Sequence, residues 1–271
     1  MTHLPSLFIS HGAPSFALEP GIAGPRLTAL GHALERPAAV LVVSPHWMTS
    51  QPRGTTTARP QTIHDFGGFD PALYRIEYPA AGHPVLAART VEVLGAAGYP
   101  AEAEPRRGLD HGAWVPLLHL YPRADVPVFQ VSMPWRLDAR SAFEFGRALA
   151  PLSAEGVLIV GSGSLTHNLY EFSIGGATAA YAAEFAAWIR EAVSSSDWDR
   201  VQRALDIAPH ARRAHPTPEH YWPLLIAAGA AADLQQATVL EGGIVHGVLA
   251  MDSFLLGQRV PLNALVATAE G

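Results

Sequence analysis

Short apolar runs at about 6–10, 38–43, 126–132, 156–161 and 243–252, each flanked by Gly, Pro or Ser, predict β-strands. The runs are near-continuous rather than alternating, which predicts a sheet buried on both faces. Between them lie patterns of helical period. Pro84 to Ala97 places Val85, Ala88, Val91 and Leu94 on one face, with Gly98 as a stop. Ala139 to Leu152 and Ala177 to Val193 read the same way, and the Ala-rich stretch Leu224 to Ala232 reads as a buried helix. The alternation predicts an α/β fold: one domain over 1–271, with a largely parallel or mixed central sheet flanked by helices. Residues 44–82, rich in Pro, Gly and Thr, predict long loops with a short strand or two. Residues 194–200 predict a turn before another helix, and the tail after Gly257 is weakly patterned. No repeat or linker marks a domain boundary.

Composition narrows the classes. The chain has 271 residues, 49% hydrophobic and 15% charged, enough to bury a sizeable core. A net charge of −6 without a basic stripe argues against a nucleic-acid partner. There is no cysteine, which excludes disulfides, iron–sulfur clusters and thiolate zinc sites. No signal peptide is evident, and the Leu224–Ala232 run falls short of the roughly 20 residues of a membrane span. The expectation is a soluble cytoplasmic protein.

The histidines carry the chemistry. His11 and His46 each sit just beyond an apolar strand run, in Ser10-His11-Gly12-Ala13-Pro14 and Ser44-Pro45-His46-Trp47. His167 follows the run ending at Gly161. His220 is expected in the first turn of a helix, with Thr217 as N-cap and Pro218 as the first helical residue. Ligands of α/β proteins bind at the carboxyl ends of strands. Several imidazoles delivered to one rim make a metal site, and without cysteine the ion must be held by nitrogen and oxygen. His111 and His64 are further candidates. The glycines of Gly161-Ser162-Gly163-Ser164 lack the Lys of a P-loop and the spacing of a dinucleotide fingerprint; they read better as backbone passing close to a ligand. His215 reads as a solvated loop residue and His210 as surface. His3, His32, His83, His119 and His246 read as surface or hydrogen-bonded structural residues.

Taken together, the motifs resemble the DODA-type extradiol aromatic ring-opening dioxygenases, within the class III or LigB-type superfamily. The matching segments are His11-Gly12-Ala13-Pro14, Ser44-Pro45-His46-Trp47, Thr62 to Phe69, Leu73-Tyr74, Tyr78-Pro79-Ala80, Leu109 to Trp114, Thr166-His167-Asn168 and Pro216 to Tyr221. They run in order over almost the whole chain. The resemblance implies a LigB-like fold and a mononuclear non-haem metal site ligated by His11, His46 and His220. In the wider superfamily a glutamate is typical where His220 stands. His167 is implied as acid/base or fourth ligand, and His111 as the second pocket histidine, holding substrate or oxygen. Pro45 departs from the smaller residue common in relatives.

The implied reaction opens the ring of a catechol, DOPA-like or otherwise substituted, with O2 to a semialdehyde. Fe(II) is the expected active metal, and Zn(II) the expected occupant of isolated protein, since neutral imidazoles suit both. The partners are then a small aromatic diol and O2, with no nucleic acid or membrane; the pattern carries no signal of oligomeric state. His64, Trp47 and Trp114 are the expected substrate-binding residues. The rings of Trp47, Phe66, Trp114 and Tyr221 read equally well as pocket or as core. Arg136 and Arg75 are conceivable partners for a substrate carboxylate, with nothing to single out either. Two competing readings are a zinc hydrolase on the same scaffold and a non-enzymatic metal-binding relative.

Overall fold

The structure, a computed structural model, describes residues 3–261. Six strands form the central sheet: β1 (Ser6–Ser10), β2 (Ala39–Val43), β3 (Val128–Gln130), β4 (Val157–Gly163), β5 (Ala237–Leu240) and β6 (Ser253–Leu256). Their order is β3-β2-β4-β1-β6-β5. The first four are parallel, and β6 and β5 join antiparallel at one edge. The mixed sheet matches the sequence expectation. β1, β2 and β4 are buried along their whole length, as their unbroken apolar runs require. Helix Trp222–Ala230, also buried throughout, lies against β4 and β1, and helix Ala139–Leu149 packs outside it. Helices Ala23–Ala33 and His111–Leu120 pack together, the second also touching β4.

The parallel register sets the site. Val43 stands opposite Gly161 and Ser10 opposite Gly163, so β2, β4 and β1 end along one rim. Gly161 and Gly163 bring β4 against the segment entering helix Trp222–Ala230. A Cβ at Gly161 would run into the Pro223 carbonyl oxygen, and one at Gly163 into that of His220. These glycines therefore serve a close approach of protein to protein, not the approach to a ligand expected from the sequence.

Several expectations are corrected. The predicted strand 243–252 is a small hairpin of Ile244–Val245 and Leu249–Ala250, reversed at His246 and Gly247, which both have positive φ. The sheet strand lies just after it, at Ser253–Leu256. The edge strand Ala237–Leu240 is too short and too mixed in burial to stand out as a pattern. Helix His111–Leu120 is buried nearly all round and contains Pro116, so it shows no amphipathic stripe. Helix Pro84–Ala96 buries Leu86, Ala87, Thr90, Val93 and Leu94, while Val85 faces solvent. Ala139–Leu149 passes into a 3-10 turn through Glu155, since Pro151 has no N–H to continue the α register. Among the described residues no helix is long and apolar enough to cross a membrane.

Candidate metal centre and active site

His11 leaves β1 with its backbone N–H on the Gly163 carbonyl (2.9 Å), which holds it against the end of β4. His46 leaves β2 through a turn in which Ser44 accepts the His46 and Trp47 backbone N–H groups (3.2 Å each). Gly112, in the first turn of helix His111–Leu120, makes room for that turn: a Cβ there would overlap the Ser44 hydroxyl and press on the His46 ring. The same helix is capped by buried Asp110, which accepts from Ala113 N (3.2 Å), Gln130 Nε2 (2.9 Å) and Arg107 (3.3 Å). His111 is thereby fixed as its first residue. His220 precedes helix Trp222–Ala230 instead of lying inside it, because Pro223 takes the first-turn position that Pro218 was expected to fill. Thr217 bonds the Glu219 carboxylate and does not cap.

Five histidines converge at the rim. The rings of His11, His46 and His220 form a nearly equilateral triangle, with centroids 5.0, 5.5 and 5.2 Å apart. Three imidazoles bound tetrahedrally to one ion at the usual Zn–N length would stand about 5.2 Å apart. Hydrogen bonds fix the tautomer of His11. The Ser162 hydroxyl spends its proton on the Gly112 carbonyl, so at 2.9 Å it can only accept from His11 Nδ1–H. His220 Nδ1 donates to Glu219 Oε1 (3.0 Å), leaving its Nε2 buried without a partner. Asp65 Oδ2 lies 3.9 Å from His46 Nδ1. The Nε2 atoms of His11 and His46 face each other at 3.1 Å. Without an ion His46 Nε2–H can donate to the His11 lone pair; with its proton on Nδ1 instead, His46 offers a second lone pair to the same ion. This donor set fits a resident metal ion.

By proximity of donor atoms, His11, His46 and His111 could hold a metal, and His167, Glu219 and His220 form an adjoining group. The His46 and His111 rings are only 3.9 Å apart, closer than two ligands of one ion stand, and His111 Nδ1 donates to Asp65 Oδ1 (3.0 Å). His167 stacks flat on His220, at 3.5 Å and 9°.

Burial lowers the pKa of His11, His46, His167 and His220. His11 falls well below the usual value through burial and the neighbouring His46 and His220. His46 is lowered to about 3 by burial and His111. His220 falls through burial and His167, and His167 mainly through burial. All four offer neutral nitrogens near neutral pH. Burial opposes ionisation of Asp65, but the hydrogen bonds and charge of His111 outweigh it and hold the carboxyl down to about 2.

The histidines floor a cavity of about 290 Å3 walled by Phe66, Phe69, Leu169, Phe172 and Leu249. Of the rings expected in the pocket, only Phe66 lines it. Trp114 is in the core, its Nε1–H on the Ile63 carbonyl (2.9 Å). Trp47 lies beneath the Arg107 guanidinium (4.8 Å) and, with His64, borders a separate surface depression. His64 donates to the Ile76 carbonyl (3.0 Å) and stands behind Phe66. Tyr221 is fully buried and bonds the Val201 carbonyl. His64 and Trp114 stand behind Phe66 and support the wall instead of forming it, while Trp47 and Tyr221 take no part in it. His215 also departs from its expectation: it is buried, with Nε2–H on the Leu165 carbonyl (2.9 Å). His210 is exposed, as expected. Ser162, Asp65 and Glu219, which orient the rings, were not singled out in the sequence; for Asp65 and Glu219 the only signal was adjacency to a histidine.

The sequence profile of the catalytic LigB subunit of aromatic ring-opening dioxygenase matches residues 1–247. The chain belongs to this LigB family. It is thus an enzyme of the ring-cleavage dioxygenase class, a class that depends on a metal. Relatives include the 4,5-DOPA dioxygenase extradiol of Beta vulgaris, 38% identical over 92% of this chain and 95% of its own. The protein of the same description from Escherichia coli (strain K12) is 38% identical over 94% and 96%. A crystal structure of an uncharacterized Escherichia coli K12 protein superposes with a TM-score of 0.76 at 32% identity, covering 94% of this chain and all of that one.

Proposed function

We propose that this LigB-family chain opens the ring of a substituted catechol with O2 by extradiol cleavage, with Fe(II) held by His11, His46 and His220. The observation that carries the reading is the triangle of the His11, His46 and His220 rings beside a ring-sized apolar cavity, with two more histidines on its floor. Bound iron would gather the diol and O2 and relay electrons between them. His167, neutral because it is buried, takes a catechol proton. His111, its Nδ1–H held on Asp65 Oδ1, stands on the oxygen side. The flat stacking of His167 on His220 favours proton transfer over a fourth-ligand role. The apolar wall excludes water while the ring is opened. Zinc competes for the same nitrogens and is expected in isolated protein. The cytoplasm is the proposed location.

The test is oxygen uptake by protein reconstituted anaerobically with Fe(II), against a catechol panel. One O2 per catechol with a yellow product, lost in His11→Ala and His167→Ala, supports the reading. Iron bound at one per chain with no uptake on any catechol refutes it.

A further inference from the structure

The cavity also constrains what the catechol carries opposite its two hydroxyls, an inference that rests on the ring-cleavage reading. Its walls are Phe66, Phe69, Leu169, Phe172 and Leu249, and its polar side chains are the five histidines of the floor. Leu169, in the wall, is 61% exposed, and its near chain neighbours Tyr170 and Ile174 are 92% and 81% exposed, so the segment that carries this wall presents large apolar side chains to solvent.

A substrate carboxylate would need a cation. The chain has no lysine, so arginine supplies all 18 cations, every one within the described residues. None lines the cavity. Arg213, on the loop side of the mouth, is spent in a two-pronged pair with Glu171 (2.8 Å each) and lies over Tyr181. Arg107 is held by Asp110 and the His46 carbonyl. Arg75, conceivable from the sequence, bonds the Pro71 carbonyl at the surface, and Arg136 is exposed and does not line the cavity. The carboxylates around the site are anionic neighbours: Asp65, Glu219 and Glu171. Beyond Ala13 a second cavity of about 210 Å3 holds Glu19 and the Ser15–His246 pair, again with no arginine. A carboxylate seated against the apolar wall, away from the histidine floor, would have no arginine partner and would be repelled by these anions.

We infer that the substrate is a catechol bearing an uncharged apolar substituent, alkyl or aryl, seated against Leu169 and Phe172. Catechol amino acids, such as the one in the relatives' names, are then poor substrates for this chain.

Two measurements test this. Steady-state kinetics of the Fe(II) protein would compare 4-propylcatechol with 3-(3,4-dihydroxyphenyl)propionate, DOPA and dopamine. Calorimetry on the Zn(II) protein, which does not turn over, would give dissociation constants for the same compounds. The expected result is KM and Kd for 4-propylcatechol at least tenfold below those of the propionate and DOPA. Each methylene from ethyl to butyl should tighten binding about fourfold. Leu169→Arg, at an exposed position, should bring the propionate within threefold of 4-propylcatechol. Equal or tighter use of the propionate or DOPA overturns the inference and leaves ring cleavage standing. Preference for dopamine also overturns it and points to Glu19. Failure to bind or open any catechol removes the ring-cleavage reading itself.

Discussion

The Ser162 hydroxyl accepts from His11 Nδ1 at 2.9 Å because its own proton is committed to the Gly112 carbonyl. One buried serine thus sets which nitrogen of His11 is free, and ties that choice to the helix that presents His111. Ser162→Ala is expected to weaken zinc binding by about 10–100-fold, the usual cost of losing a group that orients a ligand. It should also destabilise the fold by about 1–3 kcal/mol by leaving a buried carbonyl unpaired. Metal titration and denaturant unfolding separate the two effects. Unchanged metal affinity in a destabilised variant would show that Ser162 only packs.

The two possible third ligands make different predictions. If His220 binds the ion, His220→Ala abolishes stoichiometric zinc binding, while His111→Ala keeps it and lowers kcat by about 10²–10⁴-fold. Metal content by elemental analysis after dialysis decides the matter. Loss of metal from His111→Ala with retention in His220→Ala would exchange the two roles.

Gly112 tests whether backbone proximity positions the metal ligands. A methyl there meets Ser44 and His46, both on the β2 exit turn. Gly112→Ala is expected to cost about 1–3 kcal/mol through overpacking, and to reduce zinc affinity at least tenfold by displacing His46. Denaturant midpoints and metal titration check this together. A stable variant with normal affinity would mean that the turn yields freely.

The sequence showed the α/β class, the parallel core strands and the histidine exits because these rest on local pattern. Unbroken apolar runs give β1, β2 and β4, and a histidine just past such a run must stand at the rim. What stayed hidden depends on contacts between distant segments. Asp65 meets His111 across 46 residues, and Ser162 meets His11 across 151. No periodicity encodes such meetings. Trp114 was as aromatic and as close in sequence to a site histidine as any pocket residue, yet its ring is buried with its Nε1–H on the distant Ile63 carbonyl. Phe172 lines the cavity without any motif to mark it, and Phe69, though inside a matching segment, was not singled out as a pocket residue. His215 sits among Pro and Thr, a loop composition that suggests solvent, and is buried because the loop is covered by Phe185 and Tyr221.

His215 gives the clearest pH prediction because its ring has a structural bond and no place in the proposed chemistry. Burial lowers its pKa to about 4, against about 6.5 in the unfolded chain. Below about pH 6.5 the unfolded state binds a proton that the folded state refuses, so stability falls with pH until the folded group titrates near 4. Above 6.5 both states are neutral and the contribution is flat. His46, lowered to about 3, acts in the same direction in metal-free protein. The metal-free protein is therefore expected to lose stability steeply between pH 6.5 and 4, and bound zinc should offset part of the loss by holding the ligand rings neutral. His215→Phe removes one titration but leaves the Leu165 carbonyl without its donor. It should be less stable at pH 7.5 by about 1–3 kcal/mol, with a shallower fall toward pH 4.5. Urea unfolding of both metal-free proteins across that range checks the sign. A parallel pair of curves, offset by a constant, would show that His215 does not titrate on unfolding.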